Sequence, residues 1–591
     1  MDSDLELLRR YEPVVHYTQG ELFLPLRSGD YLAGAALYAA TRDRDEPRLI
    51  AAPGTLDPRT LARLGREHDE EPLYLQYVSS PLSRSEFKEW RKDPDRPRFT
   101  ASSRFASVGL LSRLIDTTMR LTLLLRGRVP GGYAAAAHRQ VGDQSVFAYY
   151  GHVTRDAGYV VLQYWYLYAM NDWRSTFGGV NDHEADWEQV TIFLLDRGPD
   201  ADPEPAWVAF SSHDEVGDDL RRRWDDPDIT FAEGTHPVVY AGAGSHSGAD
   251  LPGEYVISVG LPLPSFVDRL RRGLTRVLPW SDSDSGDIGI PYIDYRRGDG
   301  VAIGPGQERA WTPVLIDDDT DWVVGYRGLW GLDTRDPLGG ERGPAGPRYD
   351  RDGSVRESWR QPVAWAGLDK EAPTEAEATQ ELDELGTELR HQRKELQTEL
   401  DRTRRRLRGA RYADRVGGHD PRHPTAAVRR LGREVADLRS RDAELAEQLG
   451  GVERARSRAA VAEPVHAHLR HRAVPLAHAG AAGLRQRLLR IWAAASASLL
   501  LGAAGVLMLL GVPNVVGALL VLVLVMVVIE AALRGRLVQL LLNGLVLVVL
   551  LATVWAVVSV IVGNFRQGVG VLLLLAAGYM GWQTFREGAR T

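Results

Sequence analysis

The stretch Tyr164–Glu188, YWYLYAMNDWRSTFGGVNDHEADWE, joins two runs of apolar and aromatic residues through a polar, glycine-containing loop. The first run extends back to Tyr159, and the second continues into QVTIFLL, residues 189–195. β-branched and aromatic residues favour strands, whereas Gly, Asn and Asp favour the turns between strands. The sequence therefore predicts a strand on each side of this loop.

Short runs of the same kind recur outward from this stretch, at 206–211, 237–241 and 255–259. Several short strands separated by turn residues are typical of a β-sandwich. We therefore predict a mostly-β sandwich domain over residues 1–369. One segment differs: Phe105–Gly127 has helical spacing and five arginines in or beside it. We expect it either to pack on the sandwich as a helix or to lie on a membrane surface.

Acidic residues and histidines mark a candidate site within this domain. Asp186 and Glu188 are two residues apart, so on a strand both carboxylates project from one face. His183 comes just before them, and His246 follows a second predicted strand that ends in small residues. Oxygen ligands with one or two imidazoles suit Mg²⁺, Ca²⁺, Mn²⁺ or Zn²⁺. The other interpretation is a hydrogen-bonded loop rim whose carboxylates face water.

Several motifs here resemble one known family. The segments GYVVLQYWYLYAMNDW, HEADWEQVTIF, SSHDE to RRRW (Ser211–Trp224) and GTHPVVYAGAGSHSG look like those of the vacuolar protein sorting 62-like family. The early YEPVVHYTQGELFLPL fits its opening strand. The resemblance covers roughly residues 10–366, and a more distant one links the chain to the necrosis- and ethylene-inducing peptide-like cytolysins.

The resemblance implies a two-sheet sandwich with a divalent ion in an acidic cavity at one end. By similarity, the positions that match the ion site are Asp172, His183, Asp186, Glu188 and His246. With this donor set we expect Mg²⁺ or Ca²⁺ rather than Mn²⁺ or Zn²⁺.

The middle of the chain has a helical pattern. Leucines and valines recur at spacings of three, four and seven on both sides of the segment Gly417–Pro424, which cannot continue a helix. We predict a helical hairpin or coiled coil over residues 370–463. Self-association of two chains through the same seam is the alternative. We expect a basic juxtamembrane linker at 464–490. Its four histidines would also suit a metal-binding tract, which is the less favoured interpretation.

The C-terminal part is apolar enough for a membrane. The runs Ile491–Leu510, Val515–Leu533, Leu537–Val562 and the shorter Gly568–Trp582 predict an α-helical transmembrane domain of about four spans over 491–583. Arginines cluster before the first run and after the second, and the N-terminal segment lacks the pattern of a signal peptide. We therefore expect a multi-pass protein of the cytoplasmic membrane, with the N-terminal domain and the helical hairpin in the cytosol.

Composition excludes several classes of protein. The chain of 591 residues contains no cysteine, which excludes disulfide scaffolds, Cys-ligated zinc, iron–sulfur clusters and thiol nucleophiles. The net charge of −8 argues against a nucleic-acid partner. That charge divides into −17 over residues 1–369, +6 over 370–490 and +3 over 491–591. The 67 Arg against only four Lys are typical of a GC-rich genome, and we expect a bacterial one.

These patterns favour a membrane-tethered, metal-dependent binding module that recognises a polar headgroup or glycan at the membrane face. The first alternative is a metal-dependent hydrolase of a phosphoester or glycan, with Asp182, Glu184 or His213 as the base. The second alternative is a membrane-anchored structural scaffold.

Overall fold

A computed structural model describes residues 2–40, 47–99, 108–125, 129, 131–172, 182–198, 201–210, 220–260, 289–332, 343–418, 424–459, 473, 475 and 483–561, with nine positions between 566 and 579. The N-terminal region is rich in β-sheet and the C-terminal region is helical, as the sequence predicts. His213, the loop 173–181, the four histidines of the linker and seven of the fifteen residues of the fourth apolar run lie outside the described residues.

Sixteen strands lie in the described part of the N-terminal region. They are β1 Val14–His16, β2 Ala36–Ala39, β3 Arg48–Ala51, β4 Leu73–Gln76, β5 Phe147–Asp156, β6 Tyr159–Asn171, β7 His183–Leu195, β8 Glu204–Phe210, β9 Arg221–Arg223, β10 Phe231–Ala232, β11 His236–Ala241, β12 Gly248–Ala249, β13 Gly253–Gly260, β14 Gly289–Arg296, β15 Ala302–Ile303 and β16 Trp311–Leu315.

Helices lie between and after these strands. They are α1 Asp2–Tyr11, α2 Ser28–Gly34, α3 Pro58–Glu67, α4 Arg84–Trp90, α5 Leu110–Leu125, α6 Gly132–Val141, α7 Asp321–Gly325, α8 Glu357–Arg360 and α9 Pro362–Trp365. α5 confirms the helix expected near Phe105–Gly127.

The largest sheet has the strand order β16-β5-β6-β7-β8-β9. Its neighbouring strands are antiparallel except for β16, which runs parallel to β5. The two strands predicted around the loop are β6 and β7, paired from Tyr159 opposite Leu195 to Asn171 opposite His183. Because β7 begins at His183, the acidic residues that follow lie within the ladder of the sheet rather than on a loop.

Both faces of this sheet are covered, since every residue of β6 is buried. On one face, the Tyr168 hydroxyl lies 3.0 Å from that of Tyr17, in the segment after β1. On the other face, the Trp187 ring meets Trp330 edge-on at 5.1 Å. Burial of aromatic side chains on both faces contributes strongly to stability, which accounts for the nearly unbroken apolar run.

A second sheet has the order β10-β11-β1-β15, with β12 also paired to β11. β1 lies parallel to β11, so two segments more than 200 residues apart become neighbours. The turn after β11 needs glycine at Gly242, because a Cβ there would lie 2.0 Å from Ser245 Oγ. The remaining sheets are small: β3-β2-β4 and β13-β14.

Two long helices follow, α10 Glu375–Val416 and α11 Ala426–Ala459. They lie antiparallel: Arg456 pairs with Asp383 at 2.7 Å near one end, and Arg393 pairs with Asp442 at 3.0 Å farther along. Leu400, Val435 and Leu438 form a buried cluster between them. Arg221 of β9 pairs at 2.9 Å with Glu371, just before α10, and so connects this helix pair to the large sheet.

Three long apolar helices lie in the C-terminal part that the structure describes: α12 Leu484–Leu509, α13 Val515–Arg534 and α14 Leu537–Ile561. α12 and α13 are long and apolar enough to cross a membrane. Asn514 caps α13 by accepting a hydrogen bond of 2.8 Å from the backbone of Gly517. α12 begins at Leu484, ahead of the apolar run, so the arginines at 485, 487 and 490 form its first turns.

Candidate functional site

The predicted acidic residues lie near the end of the β6–β7 ladder at which β6 finishes and β7 begins. Asp186 lies opposite Tyr168, and Glu188 lies opposite Tyr166. A bulge interrupts the register at Ala185, whose φ is 55°, in the left-handed region that a non-glycine residue rarely adopts. Asp186 and Glu188 therefore project from the face that carries Tyr168, which is the face turned toward β1.

His246 is brought onto Asp186, although 60 residues separate them in sequence. Its Nδ1 donates to Asp186 Oδ2 at 2.8 Å, and its Nε2 lies 3.6 Å from Glu21 Oε1. The Tyr168 ring stacks on the imidazole at 3.8 Å with an interplanar angle of 4°. Burial by itself would lower the pKa of His246, but the hydrogen bond to Asp186 and the nearby Glu21 carboxylate raise it to about 10. His246 is therefore an imidazolium at neutral pH, held between two carboxylates.

A second group of charges lies beside the first. Arg296 Nε donates to Asp294 Oδ2 at 2.7 Å, and the Ser245 hydroxyl donates to Asp294 Oδ1 at 2.9 Å. The Ser247 hydroxyl also donates to Asp294, at 3.0 Å. Burial by itself would lower the pKa of Arg296; Asp294 chiefly, and Glu188 in addition, raise it. Glu188 is thus electrostatically coupled to this arginine.

Asp172, Asp182 and His183 lie where the ladder ends. Asp172 and Asp182 follow and precede the last pair, Asn171 opposite His183, and both are buried. The Asp172 backbone N–H donates to the carbonyl of Gly244 at 3.0 Å, so this end is attached to the turn that carries His246. His183 Nδ1 donates to the carbonyl of Ala185 at 2.8 Å. In a neutral ring this leaves the lone pair on Nε2, the tautomer of a typical metal-bound histidine.

We define the acidic cluster as the buried carboxylates at this end of the β6–β7 ladder and around His246 and Arg296. Its members are Glu21, Asp172, Asp182, Asp186, Glu188 and Asp294. Across the part of the chain that the structure describes, no three His, Asp or Glu side chains have the geometry to hold a metal ion.

Glu184 lies apart from this cluster. Its carboxylate accepts hydrogen bonds from the backbone N–H groups of Tyr77 at 2.8 Å, Val78 at 2.7 Å and Leu332 at 3.2 Å. The Tyr133 hydroxyl donates a fourth bond, at 3.0 Å. Burial raises the pKa of Glu184 to about 7, against the opposing effect of these donors. Glu184 thus joins β7 to three other segments, on the Trp187 side of the sheet.

Sequence reasoning missed Glu21, Asp294 and Arg296. Glu21 stands in the quoted opening segment, but nothing local signals that it will reach His246. Asp294 and Arg296 had a usable signal, because two charges two residues apart in IPYIDYR share one face of a strand. Hydrogen bonds from Ser245 and Ser247, in the turn that carries His246, hold Asp294 at the site.

The geometry favours binding over proton transfer. An imidazolium with both nitrogens directed at carboxylates is a poor general base at neutral pH. The Glu184 carboxylate accepts four hydrogen bonds that join β7 to other segments, so it is also poorly placed to accept a proton from a substrate. Comparisons of this chain with protein-family models, with curated proteins and with solved structures find no match.

Proposed function

We propose that this chain is a membrane-tethered binding module whose acidic cluster takes up a divalent cation and, through it, a polar headgroup or glycan. The observation that carries the proposal is the convergence of Asp186, Glu188, Glu21 and Asp294 around His246 and Arg296. Burying several carboxylates together is costly without positive charge beside them. A divalent cation adds such charge at one point.

The residues expected to hold the ion are Asp172, His183, Asp186, Glu188 and His246. Carboxylate oxygens outnumber imidazoles in this set, which favours Mg²⁺ or Ca²⁺ over Mn²⁺ or Zn²⁺. The hydrogen bond from His183 Nδ1 to the Ala185 carbonyl supports His183 as a ligand, because it favours the tautomer of a typical metal-bound histidine. Since His246 donates to Asp186 and is protonated on both nitrogens, ion uptake requires this contact to open and His246 to release a proton. A bound ion would offer coordination positions to sugar hydroxyls or phosphate oxygens.

The finer features of the fold belong to the same proposal. The large sheet and the sheet of β1 and β11 would form the two layers of a sandwich, as the resemblance to the vacuolar protein sorting 62-like family implies. α10 and α11 would form a coiled-coil hairpin. α12, α13, α14 and the fourth apolar run would cross the cytoplasmic membrane, with the N-terminal region in the cytosol. A tether of this kind raises the effective concentration of the module at the membrane face.

The metal part is tested on the full chain in detergent micelles, stripped with EDTA. We expect Mg²⁺ or Ca²⁺ to raise the melting temperature, because an ion a hundredfold above its dissociation constant stabilises by about 2.7 kcal/mol. Asp186→Asn and Glu188→Gln should abolish this shift. Asp202→Asn, which alters an exposed carboxylate, is the matched control and should retain it.

The ligand part uses defined probes. Glycerol 3-phosphate and methyl glycosides should bind in calorimetry only when the ion is present. A melting shift without binding of either probe would support an ion site and reject this ligand class. If Mg²⁺, Ca²⁺, Mn²⁺ and Zn²⁺ all leave the wild-type melting temperature unchanged, the metal proposal is wrong and the scaffold alternative takes its place.

A further inference from the structure

Helix α5 belongs to the N-terminal region but has an apolar surface. Its sequence LLSRLIDTTMRLTLLL is dominated by leucine near its C-terminal end. There Leu121, Leu124 and Leu125 are 47%, 39% and 79% exposed. Exposing several large apolar side chains to water along one helix is unfavourable. A protein or lipid surface that covers them removes this cost.

The other end of α5 is fixed to the candidate membrane spans. Arg113 is only 1% exposed, and its guanidinium donates to the Glu530 carboxylate of α13. Its Nε also donates to Ser496 Oγ of α12 at 3.1 Å. Trp492 of α12 donates to Glu530 at 3.2 Å. A buried arginine with a carboxylate partner on another element is costly to break, because each charge would be left in an apolar environment.

The arginine-bearing ends of the two spans fix the depth of this contact. Glu530 lies four residues before the end of α13, about 6 Å along the helix axis. Arg485 of α12 donates to the carbonyl of Leu533 at 2.7 Å, so the basic ends of both helices lie side by side. Arg534 donates both to Glu530, at 2.9 Å, and to the carbonyl of Val108, just before α5. Arg113 therefore enters the helix pair near its basic end, where a membrane interface is expected.

We infer that α5 is embedded in the same bilayer that α12 and α13 cross, with its exposed leucines against lipid acyl chains. The Arg113–Glu530 ion pair holds α5 in this position. The occupant is lipid because α5 runs inward from the basic end of the spans: Val108 contacts Arg534, and Arg113 contacts Glu530 and Ser496. The leucines beyond Arg113 therefore lie at the depth of helices whose own exposed surface is apolar. The inference rests on the membrane tether proposed above and adds a contact with the bilayer made by the N-terminal region itself. This places the β-rich region directly on the membrane.

The absence of cysteine in the chain allows single-cysteine labelling. Leu125→Cys and Leu121→Cys, each labelled with the fluorophore NBD, are reconstituted as full chains in phosphatidylcholine vesicles with acyl-chain spin labels. Leu520→Cys on α13 is the positive control, and Leu49→Cys on β3 is the negative control, since both leucines are exposed. We expect quenching at 125 and 121 to be at least half of that at 520, and quenching at 49 to be near zero.

Two failures are distinguishable. If position 520 is quenched and positions 125 and 121 behave like 49, the inference on α5 is wrong and the tether stands. If position 520 is not quenched, the tether itself is wrong, and the inference fails with it.

The role of the Arg113–Glu530 ion pair is tested in the same assay with Leu125→Cys as the reporter. Arg113→Met should at least halve the quenching at 125, because the helix loses its fixed point on α13. Arg155→Met, which removes an exposed arginine on β5, is the matched control and should leave the quenching unchanged. If Arg113→Met folds, as judged by tryptophan fluorescence, and keeps full quenching, then the Arg113–Glu530 ion pair does not hold α5 in the bilayer.

Discussion

The protonated His246 makes stability fall as the pH rises. Its pKa of about 10 compares with an ordinary value of 6.5, so the folded chain binds this proton more tightly than the unfolded chain does. A raised pKa contributes stability that is fully present below about pH 6.5 and is lost as the pH passes through 10. Between pH 7 and pH 9 the expected loss is about 2–3 kcal/mol, from 1.36 kcal/mol for each pKa unit.

The assay is denaturant unfolding of the full chain in micelles with EDTA, followed by tryptophan fluorescence. Twelve of the fifteen tryptophans precede residue 370, so the signal reports mainly on the β-rich region. Tyrosine ionisation also lowers stability at high pH, and a comparison with Asp186→Asn cancels that part. In Asp186→Asn the His246 proton is held by Glu21 alone, so the loss should begin at lower pH. Equal pH profiles in the two proteins would refute the ion-pair reasoning.

Three further predictions concern packing and topology. Gly65→Ala should destabilise the β-rich region by about 1–3 kcal/mol in the same assay, since its Cβ would lie 2.2 Å from the Gly325 carbonyl oxygen; unchanged stability would contradict the close contact of α3 with α7. Leu438→Ala should cost about 2–4 kcal/mol and lower the helical melting temperature in circular dichroism, whereas the exposed Leu385→Ala should not. Tags before Met1 and after Thr591 should both resist external protease in intact cells; cleavage of the second tag alone would indicate an odd number of spans.

Local patterns predicted the elements well. The aromatic runs around the loop, the leucine spacing of α10 and α11, and the uncharged stretches of α12 and α13 each determine one element from residues close in sequence. The sequence also predicted that Asp186 and Glu188 share one face of a strand, because the alternation of side chains along a strand is a local property.

The environment of the site depends on long-range pairing. Glu21 reaches His246 because β1 lies parallel to β11, and no short-range pattern encodes that neighbour. Glu184 is two residues from Asp186, and simple alternation puts both on one face. The bulge at Ala185 instead directs Glu184 toward Tyr77 and Val78. A single residue in an unusual backbone conformation thus separated two carboxylates that the sequence places together.

The antiparallel arrangement of α10 and α11 has a geometric consequence. α10 contains 42 residues and is therefore about 63 Å long, yet α11 returns along it so far that Arg456 pairs with Asp383, about 12 Å from the start of α10. The net advance along the axis from the start of α10 to the end of α11 is therefore small, because most of the length of the pair is doubled back on itself. Removing seven residues from each helix beside the connection between them would shorten the pair by about 10 Å and leave the contacts of α5 with α12 and α13 unaltered.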